Sequence, residues 1–292
     1  GSSDKFLCDL ETSAGEYNLS GYINYIQDTD YHTLAFLNDT TLFASDIDYI
    51  FIKYYDNTNS IIGSAQALLN SSTAGGYTPS GEGVTDPTSS QQLLYFGCGA
   101  ANLQAQSVNT SARPSNFPDW VYYTVQGTAS AADVYALRTK AYYFIKQDSS
   151  CKGYKVRRLA WRNSLGCYDY FNFKMKSTQT VEVNRNNYNT MLGTFTGSKW
   201  RYNNTQRGKT TRETTAVLKE TLNTNWITEQ DANLLEKLLV STHIDIVENA
   251  DTEFTEGVLI TDSSFIRKTK ANDKLIQYTI NIEYANPINT NS

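Results

Sequence analysis

The sequence predicts a mainly β protein of two sandwich-like β-domains, the second carrying one packed amphipathic helix near residues 228–241. The first observation behind this prediction is a content of 21 Tyr, 12 Phe and 4 Trp, because aromatic side chains suit the pleated, half-buried surface of a strand. The second is the scarcity of proline, with five in the chain, beside many Asn and Thr residues that form turns. The third is the length of 292 residues, which at roughly 100–200 residues per domain suggests about two domains.

The first domain is predicted to span residues 1–153 as short strands separated by polar turns. A long segment at 70–92 consists mostly of Ser, Thr, Gly, Pro and acidic residues. Such a segment has too little apolar area to order itself, so it is predicted to be a loop. Two interpretations stay open for this loop: it contacts a partner, or it is a tolerated insertion. The polar residues around Gly153 mark the predicted domain boundary.

The second domain is predicted to span residues 154–292. It begins with a strand at 156–161, a turn at 162–166 that ends in glycine, and a returning strand at 167–175. Aromatic side chains occupy both faces of the returning strand, since side chains alternate between faces along a strand. We therefore expect this strand to be covered twice, by its own core and by a second domain or subunit.

The helix is the clearest local prediction in the second domain. Thr228 is a good N-cap, and Asp231 stands three residues later in the capping-box position. A row of leucines then recurs with helical spacing and forms one apolar face: Leu234, Leu235, Leu238 and Leu239. A helix of this length is marginal alone, so it is predicted to pack across a sheet.

The strand nearest the carboxyl end shows the cleanest alternation in the chain. Between residues 275 and 284, apolar side chains alternate with polar ones. This period of two predicts a strand with one buried face. The buried row consists of Ile276, Tyr278, Ile280 and Ile282.

Charge and cysteine usage exclude several classes of protein. The net charge is −5, whereas nucleic-acid-binding proteins carry a basic patch, so no nucleic-acid partner is expected. No apolar run approaches the roughly 18 residues of a membrane span, so none is predicted. The four cysteines are widely spaced and are predicted to be reduced and packed as small hydrophobic residues, without a zinc site. They are Cys8, Cys98, Cys151 and Cys167.

No catalytic, cofactor-binding or metal site is predicted, and the chain is not expected to be an enzyme. The sequence contains neither a glycine-rich phosphate loop nor a Gly-x-Ser-x-Gly nucleophile turn. His32 and His243 are predicted to be ordinary surface or hydrogen-bonded histidines. The acid pairs Asp28/Asp30 and Asp46/Asp48 match the residue types of a glycosidase, but they are predicted to be solvated at strand ends and turns.

A basic stretch at residues 199–209 mixes cations with aromatic side chains, including Trp200 and Tyr202. The favoured interpretation is a solvated hairpin. Two others stay open. Cations among aromatics are typical of proteins that stack nucleic-acid bases, and the stretch is also suited to contact with an acidic sister subunit.

Residues 156–287 carry a resemblance to a known group of proteins. The segment Leu-Ala-Trp-Arg-Asn-Ser-Leu-Gly-Cys-Tyr-Asp-Tyr-Phe at 159–171 resembles one in bacteriophage tail and virion structural proteins. Downstream, a polar strand pair near 180–202, a helix and the alternating strand follow in a similar order. Cys167 stands where that pattern has a second glycine, which predicts a different turn there.

The resemblance implies a structural role in a bacteriophage virion. The expected function is a tail, baseplate or tail-tip ring or adaptor subunit, made in the host cytoplasm and located in the virion tail. The expected partners are copies of the chain itself and other virion or tail proteins. Aromatic side chains are enriched at the buried cores of interfaces, and the candidate interface residues are Trp161, Tyr168, Tyr170, Trp200 and Tyr202.

An alternative function belongs to a different class. β-Sandwiches with aromatic platforms and polar loops also bind sugars, so the first domain is alternatively a carbohydrate-binding or adhesin module. In that case glycan is the partner. The platform would consist of Tyr77 with the 70–92 loop, or of Trp120, Tyr122 and Tyr123.

Overall fold

The fold comes from a computed structural model of the 292-residue chain. It describes the following residues: 22–37, 47, 49–69, 93–105, 113–128, 137, 139–147, 153–164, 166–227, 229–249, 254–262, 276–286 and 288. The chain is mainly β, as predicted. The 70–92 loop, Asp46 and Asp48, and the N-cap Thr228 lie outside the described residues.

The first half forms a five-stranded sheet and a two-stranded ribbon. The sheet has the order β1-β7-β6-β3-β4, with β1 parallel to β7 and the other pairs antiparallel. The ribbon pairs β2 with β5. The bounds are β1 Tyr22–Ile26, β2 Thr33–Leu37, β3 Tyr49–Tyr55, β4 Ile61–Leu69, β5 Leu93–Gly97, β6 Tyr122–Thr128 and β7 Tyr142–Lys146.

The ribbon and a short helix cover one face of the five-stranded sheet, which gives the sandwich-like arrangement. Helix α1 spans Ala100–Ala105 and was not predicted, because six residues are too few for a helical period. A 3-10 turn follows at Pro114–Asn116. The core between the layers is rich in aromatic and branched side chains, including Phe36, Ile52, Tyr54, Phe96, Leu103, Tyr123 and Phe144.

The second half is one seven-stranded sheet with a helix against it. The strand order is β10-β13-β16-β15-β14-β8-β9, and a separate small hairpin pairs β11 with β12. The bounds are β8 Arg157–Arg162, β9 Tyr168–Phe173, β10 Thr178–Asn189, β11 Thr194–Thr196, β12 Lys199–Arg201, β13 Lys209–Asn223, α2 Glu229–Val240, β14 Ile244–Asn249, β15 Phe254–Ile260 and β16 Thr279–Tyr284.

This sheet is strongly curled. Three strands separate β8 from β13, which in a flat sheet would set them about 19 Å apart at roughly 4.8 Å per strand. Nevertheless Arg157 Nε on β8 lies 2.9 Å from Glu220 Oε1 on β13. The two edge strands β9 and β10 are also joined by residues 174–177 alone. Both facts require the edges to approach each other, and we call this element the curled sheet.

Helix α2 packs on the concave face of the curled sheet, as the leucine pattern predicted. Ala232, Leu235 and Leu238 are buried in the same cluster as Trp161, Phe173 and Ile246. The predicted buried row of the strand nearest the carboxyl end is also confirmed, since Ile276, Tyr278, Ile280 and Ile282 all belong to this cluster.

The two halves meet at a buried charged cluster on the convex face of the curled sheet. Arg158 Nη1 lies 3.2 Å from Asp30 Oδ2 and donates to Asn172 Oδ1 at 2.7 Å. Arg158 Nη2 donates to the carbonyl of Tyr31 and faces His32 Nδ1 at 3.1 Å. Asp30 and His32 therefore have a structural role, as predicted for His32. Asp30 was expected to be solvated, and its burial by Arg158 corrects that expectation.

Returning strand β9 is covered on both sides, as its aromatic pattern predicted. Phe171 and Phe173 face the core of the curled sheet. On the opposite face, Asn172 donates to Asp30, and the ring of Tyr170 packs against His32.

The division of the chain into two domains at residue 153 stays a prediction. Within the described ranges, β1–β7 pair only with one another and β8–β16 do likewise.

The buried pair at the junction generates a stability prediction with an internal control. Asp30→Asn leaves Arg158 buried without its carboxylate, which should lower the free energy of unfolding by roughly 3–5 kcal/mol. Asp28→Asn removes the acid of an exposed pair with Lys146, and such pairs contribute about 0–1 kcal/mol. Urea denaturation monitored by circular dichroism measures both, and equal losses would contradict the role of the junction.

Glu220 generates a pH prediction. Burial raises the pKa of this carboxyl, but hydrogen bonds, including those from Tyr284, Gln179 and Arg157, outweigh burial and hold the pKa below its ordinary value. A depressed pKa stabilises the fold above the unfolded-state value of about 4.3, and this contribution is lost as pH falls through the folded-state value. The stability advantage over Glu220→Gln should therefore shrink as pH falls below about 4.3. Urea denaturation at a series of pH values checks this, and a constant difference would contradict it.

Candidate functional site

The most prominent surface feature is a two-stranded arm that extends from the curled sheet. β10 pairs with β13 along its whole length, from Thr178 opposite Thr221 to Asn189 opposite Lys209. β13 pairs with β16 only through Lys219–Asn223. The arm therefore continues beyond the sheet as a ribbon, and residues 182–189 alone extend it by about 25 Å at roughly 3.3 Å per residue.

The arm has almost no core of its own. Every residue of β10 is exposed. Val181 and Val183 lie across from Leu218 and Ala216, on the side that continues the concave core face, yet the two valines are 51% and 40% exposed. An isolated two-stranded ribbon is at best marginally stable in water. The exposed valines are therefore a surface suited to burial by another polypeptide.

Residues 190–208 form a folded end, which we call the arm tip. Strands β11 and β12 pair there, and the rings of Phe195 and Trp200 meet edge to face at 5.2 Å. Gln206 Oε1 accepts a hydrogen bond from Gly193 N at 2.8 Å, and Gly208 O accepts one from Thr190 N at 3.0 Å. These contacts organise the arm tip within the single chain.

The arm tip exposes several large apolar side chains. Met191 is 82% exposed and Phe195 70%. Leu192, Trp200 and Tyr202 are exposed as well. Clustered exposed apolar side chains mark sites of protein interaction, whereas scattered ones need no explanation. Trp and Tyr are also enriched among the residues that dominate binding energy.

Aromatic and basic side chains lie on opposite faces of the small hairpin. Phe195 pairs directly with Trp200, so their side chains share one face. Lys199 and Arg201 flank Trp200 in the sequence and therefore project from the other face. A protein that stacks nucleic-acid bases needs cations beside its aromatic rings. This separation argues against base stacking at the arm tip and favours an apolar contact face with a charged, solvated back.

The arm is also the most basic region of the chain. Residues 184–212 contain six Lys and Arg and no Asp or Glu: Arg185, Lys199, Arg201, Arg207, Lys209 and Arg212. The remaining residues hold 19 basic against 30 acidic side chains. The arm and the remainder of the chain therefore carry opposite net charges.

Comparison with known proteins adds no relative: no family model matches the chain, and no curated protein matches its sequence.

The structure separates the five predicted interface residues into different environments. Trp200 and Tyr202 are both at the arm tip. Tyr168 is exposed on β9, with its ring 6.2 Å from that of His243. Tyr170 packs against Arg158 at the junction between the halves. Trp161 has no exposed area, so its proposal as an interface residue is wrong: its indole fills the core beneath α2.

Met191, Leu192 and Phe195 were missed by the sequence analysis, as was strand β13. The polar strand pair expected near residues 180–202 is in fact β10 with β13, which ends at Asn223. The available signal was a Thr-rich run at 209–223 without Pro or an internal Gly, which suits a long strand. With both faces exposed along most of the arm, β13 lacks the simple alternation that identifies a half-buried strand.

Two of the residues proposed as a platform for the carbohydrate-binding alternative are not on the surface. Trp120 and Tyr123 are 2% and 0% exposed, and Tyr123 Oη donates to the carbonyl of Cys98 at 2.7 Å. Tyr122 stacks on Tyr55 with the ring centroids 4.6 Å apart. The proposal of Trp120 and Tyr123 as platform residues is therefore wrong, whereas Tyr122 is partly exposed. Tyr77 lies outside the described residues.

A crevice of about 260 Å³ lies between the two halves. Exposed Tyr25 and Trp226 contribute to its lining, together with Asn225, Lys174 and Asp231. Burial raises the pKa of the Tyr25 hydroxyl, and the negative charge of Asp231 raises it further. The Tyr25 hydroxyl in this crevice therefore stays protonated to a higher pH than an ordinary tyrosine.

The described cysteines are buried thiols. Cys98 and Cys167 are both thiols outside any disulfide, while Cys8 and Cys151 lie outside the described residues. Burial and the carboxylate of Asp169 raise the pKa of Cys167 to about 12, so this thiol stays protonated at neutral pH.

In the part of the chain that the structure describes, no three His, Cys, Asp or Glu side chains form a metal-binding group. Among the described helices, none is long and apolar enough to cross a bilayer.

The order of the arm tip generates a prediction with a matched pair of glycines. Gly193 has φ +92°, and an added Cβ would lie 2.7 Å from Trp200 Nε1 and 2.8 Å from Arg201 O. Gly197 has φ +66°, with no heavy atom within 4 Å of an added Cβ. Both changes to Ala carry the strain of a positive φ, but only Gly193→Ala should displace Trp200.

Hydrogen exchange followed by mass spectrometry checks this expectation. Peptides covering residues 190–208 should exchange faster in Gly193→Ala than in Gly197→Ala. The free energy of global unfolding should stay close to that of the wild type in both variants, because the two described cores contain no side chain from the arm tip. Equal exchange in the two variants would show that Trp200 does not order the arm tip.

Proposed function

We propose that this chain is a structural subunit of a bacteriophage virion and assembles with neighbouring proteins of the tail, baseplate or tail tip through its arm. The observation that carries the proposal is an arm with exposed faces and an aromatic, ordered tip. Such an arm is costly for a protein that works alone, since large apolar side chains remain in water. Its apolar area becomes stabilising once a partner covers it.

The assembly role is also supported by how the arm is attached. Its root strand β13 is held inside the curled sheet, where Glu220 accepts hydrogen bonds from Arg157 and Tyr284. A buried, hydrogen-bonded root fixes the direction in which the ribbon leaves the sheet. A defined direction allows an arm to reach a neighbour at a fixed position, as a repeating assembly requires.

The carbohydrate-binding alternative has weaker support. Two of its proposed platform residues, Trp120 and Tyr123, are buried in the core of the first half. Glycan binding by a chain that never enters a particle would nevertheless favour the alternative.

The proposed function predicts the fate of an arm-less variant. Residues 184–215 are replaced by an Asn-Gly turn that joins Val183 to Ala216, which already face each other across the ribbon. Both described cores remain complete in this variant, so it should fold. When it is co-expressed with the wild-type chain during phage growth, purified particles should contain the wild-type chain and exclude the arm-less one.

Immunoblots of purified particles and of the soluble fraction measure incorporation, and antibody labelling in negative stain locates the chain. Trp226→Ser, which alters an exposed tryptophan away from the arm, serves as the control and should be incorporated normally. Particles that lack even the wild-type chain would overturn the virion role. Equal incorporation of the arm-less and wild-type chains would overturn the role of the arm.

A further inference from the structure

The proposed function leaves open which protein covers the arm tip, and the chain itself offers a suitable surface. The arm tip presents Phe195 and Trp200 on one face, with cations on the other face and along the ribbon. Its partner should therefore present exposed apolar area within a field of negative charge. Interfaces commonly have an apolar centre with charged residues at the rim.

Such a surface lies on the convex side of the curled sheet. Leu259 on β15 is 58% exposed and pairs directly with Glu283 on β16. Asp245 on β14 lies opposite Gly257, and Gly257 shares a face with Leu259. We call Leu259, Glu283 and Asp245 the acceptor face.

Within the described ranges, the carboxylates around Glu283 outnumber the one cation that pairs with them. Glu283 and Glu182 share one ammonium, that of Lys219. Two carboxylates facing one cation leave one negative charge in excess. Asp245 lies 3.3 Å from His243 Nε2 and is a further carboxylate on this face. Leu259 is therefore an exposed apolar residue among net negative charge.

We propose that the arm tip of one copy docks on the acceptor face of a second copy of this chain, an inference that rests on the proposed function. Phe195 and Trp200 cover Leu259 and exclude water from it. The cations of the ribbon stay at the rim, where they attract the acidic body of the second copy over about 10 Å at 0.1 M salt. Charges in such positions steer association and select the partner.

The contact is heterologous, because donor and acceptor lie at different places on the same chain. A heterologous contact that repeats builds a closed ring or an open filament. A single-stranded nucleic acid is the competing partner for a basic, aromatic tip. The aromatic and basic side chains lie on opposite faces of the hairpin, which disfavours nucleic acid as the partner. A base stacked on Trp200 would place its phosphates on the side of the hairpin away from Lys199 and Arg201.

Sedimentation velocity of the purified full-length chain tests the donor and the acceptor separately. The wild type should associate in a concentration-dependent manner, and more weakly as salt is raised. Trp200→Ser on the arm tip and Leu259→Arg on the acceptor face should each weaken association at least tenfold. Two matched controls, Trp226→Ser and Ile61→Arg, change side chains of similar exposure elsewhere and should associate like the wild type.

Mixing the two defective variants decides whether the contact is heterologous. Trp200→Ser keeps its acceptor face, and Leu259→Arg keeps its arm tip. At a concentration below the weakened dissociation constants, each variant alone should be monomeric, whereas the mixture should form a 1:1 heterodimer that does not grow, because the other half of each interface is disabled. A mixture that stays monomeric while the wild type associates would overturn the proposal, although the arm could still bind another virion protein.

Two further outcomes would also overturn it. One is a wild-type chain that stays monomeric at all concentrations and salts. The other is binding of a fluorescent single-stranded oligonucleotide that Trp200→Ser weakens while the chain remains monomeric. Neither result bears on whether the chain enters virions, which the particle experiment measures independently.

Discussion

Two consecutive arginines on β8 hold the parts of this protein together. Side chains alternate between the faces of a strand, so Arg157 points into the curled sheet and Arg158 points out of it. Arg157 binds Glu220 on β13, which is the root of the arm. Arg158 binds Asp30 and fixes the first half against the convex face. Buried ion pairs add little net stability, but breaking one is costly. The two arginines therefore act mainly by selecting one arrangement of the curled sheet, the arm and the first half.

In the arm, unlike at these buried ion pairs, most side chains are exposed. Its root is buried and hydrogen-bonded, whereas its distal ribbon and tip expose Val181, Val183 and Phe195 to water. A ribbon without a third strand or a packed face gains too little from burial to be independently stable. The chain thus uses its two cores to stabilise an element whose own apolar side chains stay exposed in the single chain. Gly193 allows Trp200 to pack on the backbone, so the tip is ordered in advance and loses less entropy on binding.

Elements that carry their own periodicity could be predicted from the sequence. The leucines of α2 and the alternation of Ile276 to Ile282 each reveal a buried face without knowledge of neighbours. The arm could not be recognised in this way, because exposure on both faces removes the alternation. Trp161 and Trp200 illustrate the same limit. Both lie in strands of mixed polarity, yet one is buried beneath α2 and the other is exposed, since strand pairing far away in sequence decides burial. The ion pair between Arg158 and Asp30 likewise links residues that are 128 positions apart in the sequence, so no local pattern predicts it.

The distribution of charge along the chain bears directly on the proposed contact between copies. The net charge of −5 makes copies repel at a distance, which limits nonspecific association. Concentrating six cations in residues 184–212 reverses the sign locally, so attraction arises only when the arm of one copy approaches the body of another. Arg157 and Glu220 fix the root of the arm, so in the proposed assembly this buried ion pair would contribute to the angle between successive copies. That angle determines whether a heterologous contact closes into a ring or continues as a filament.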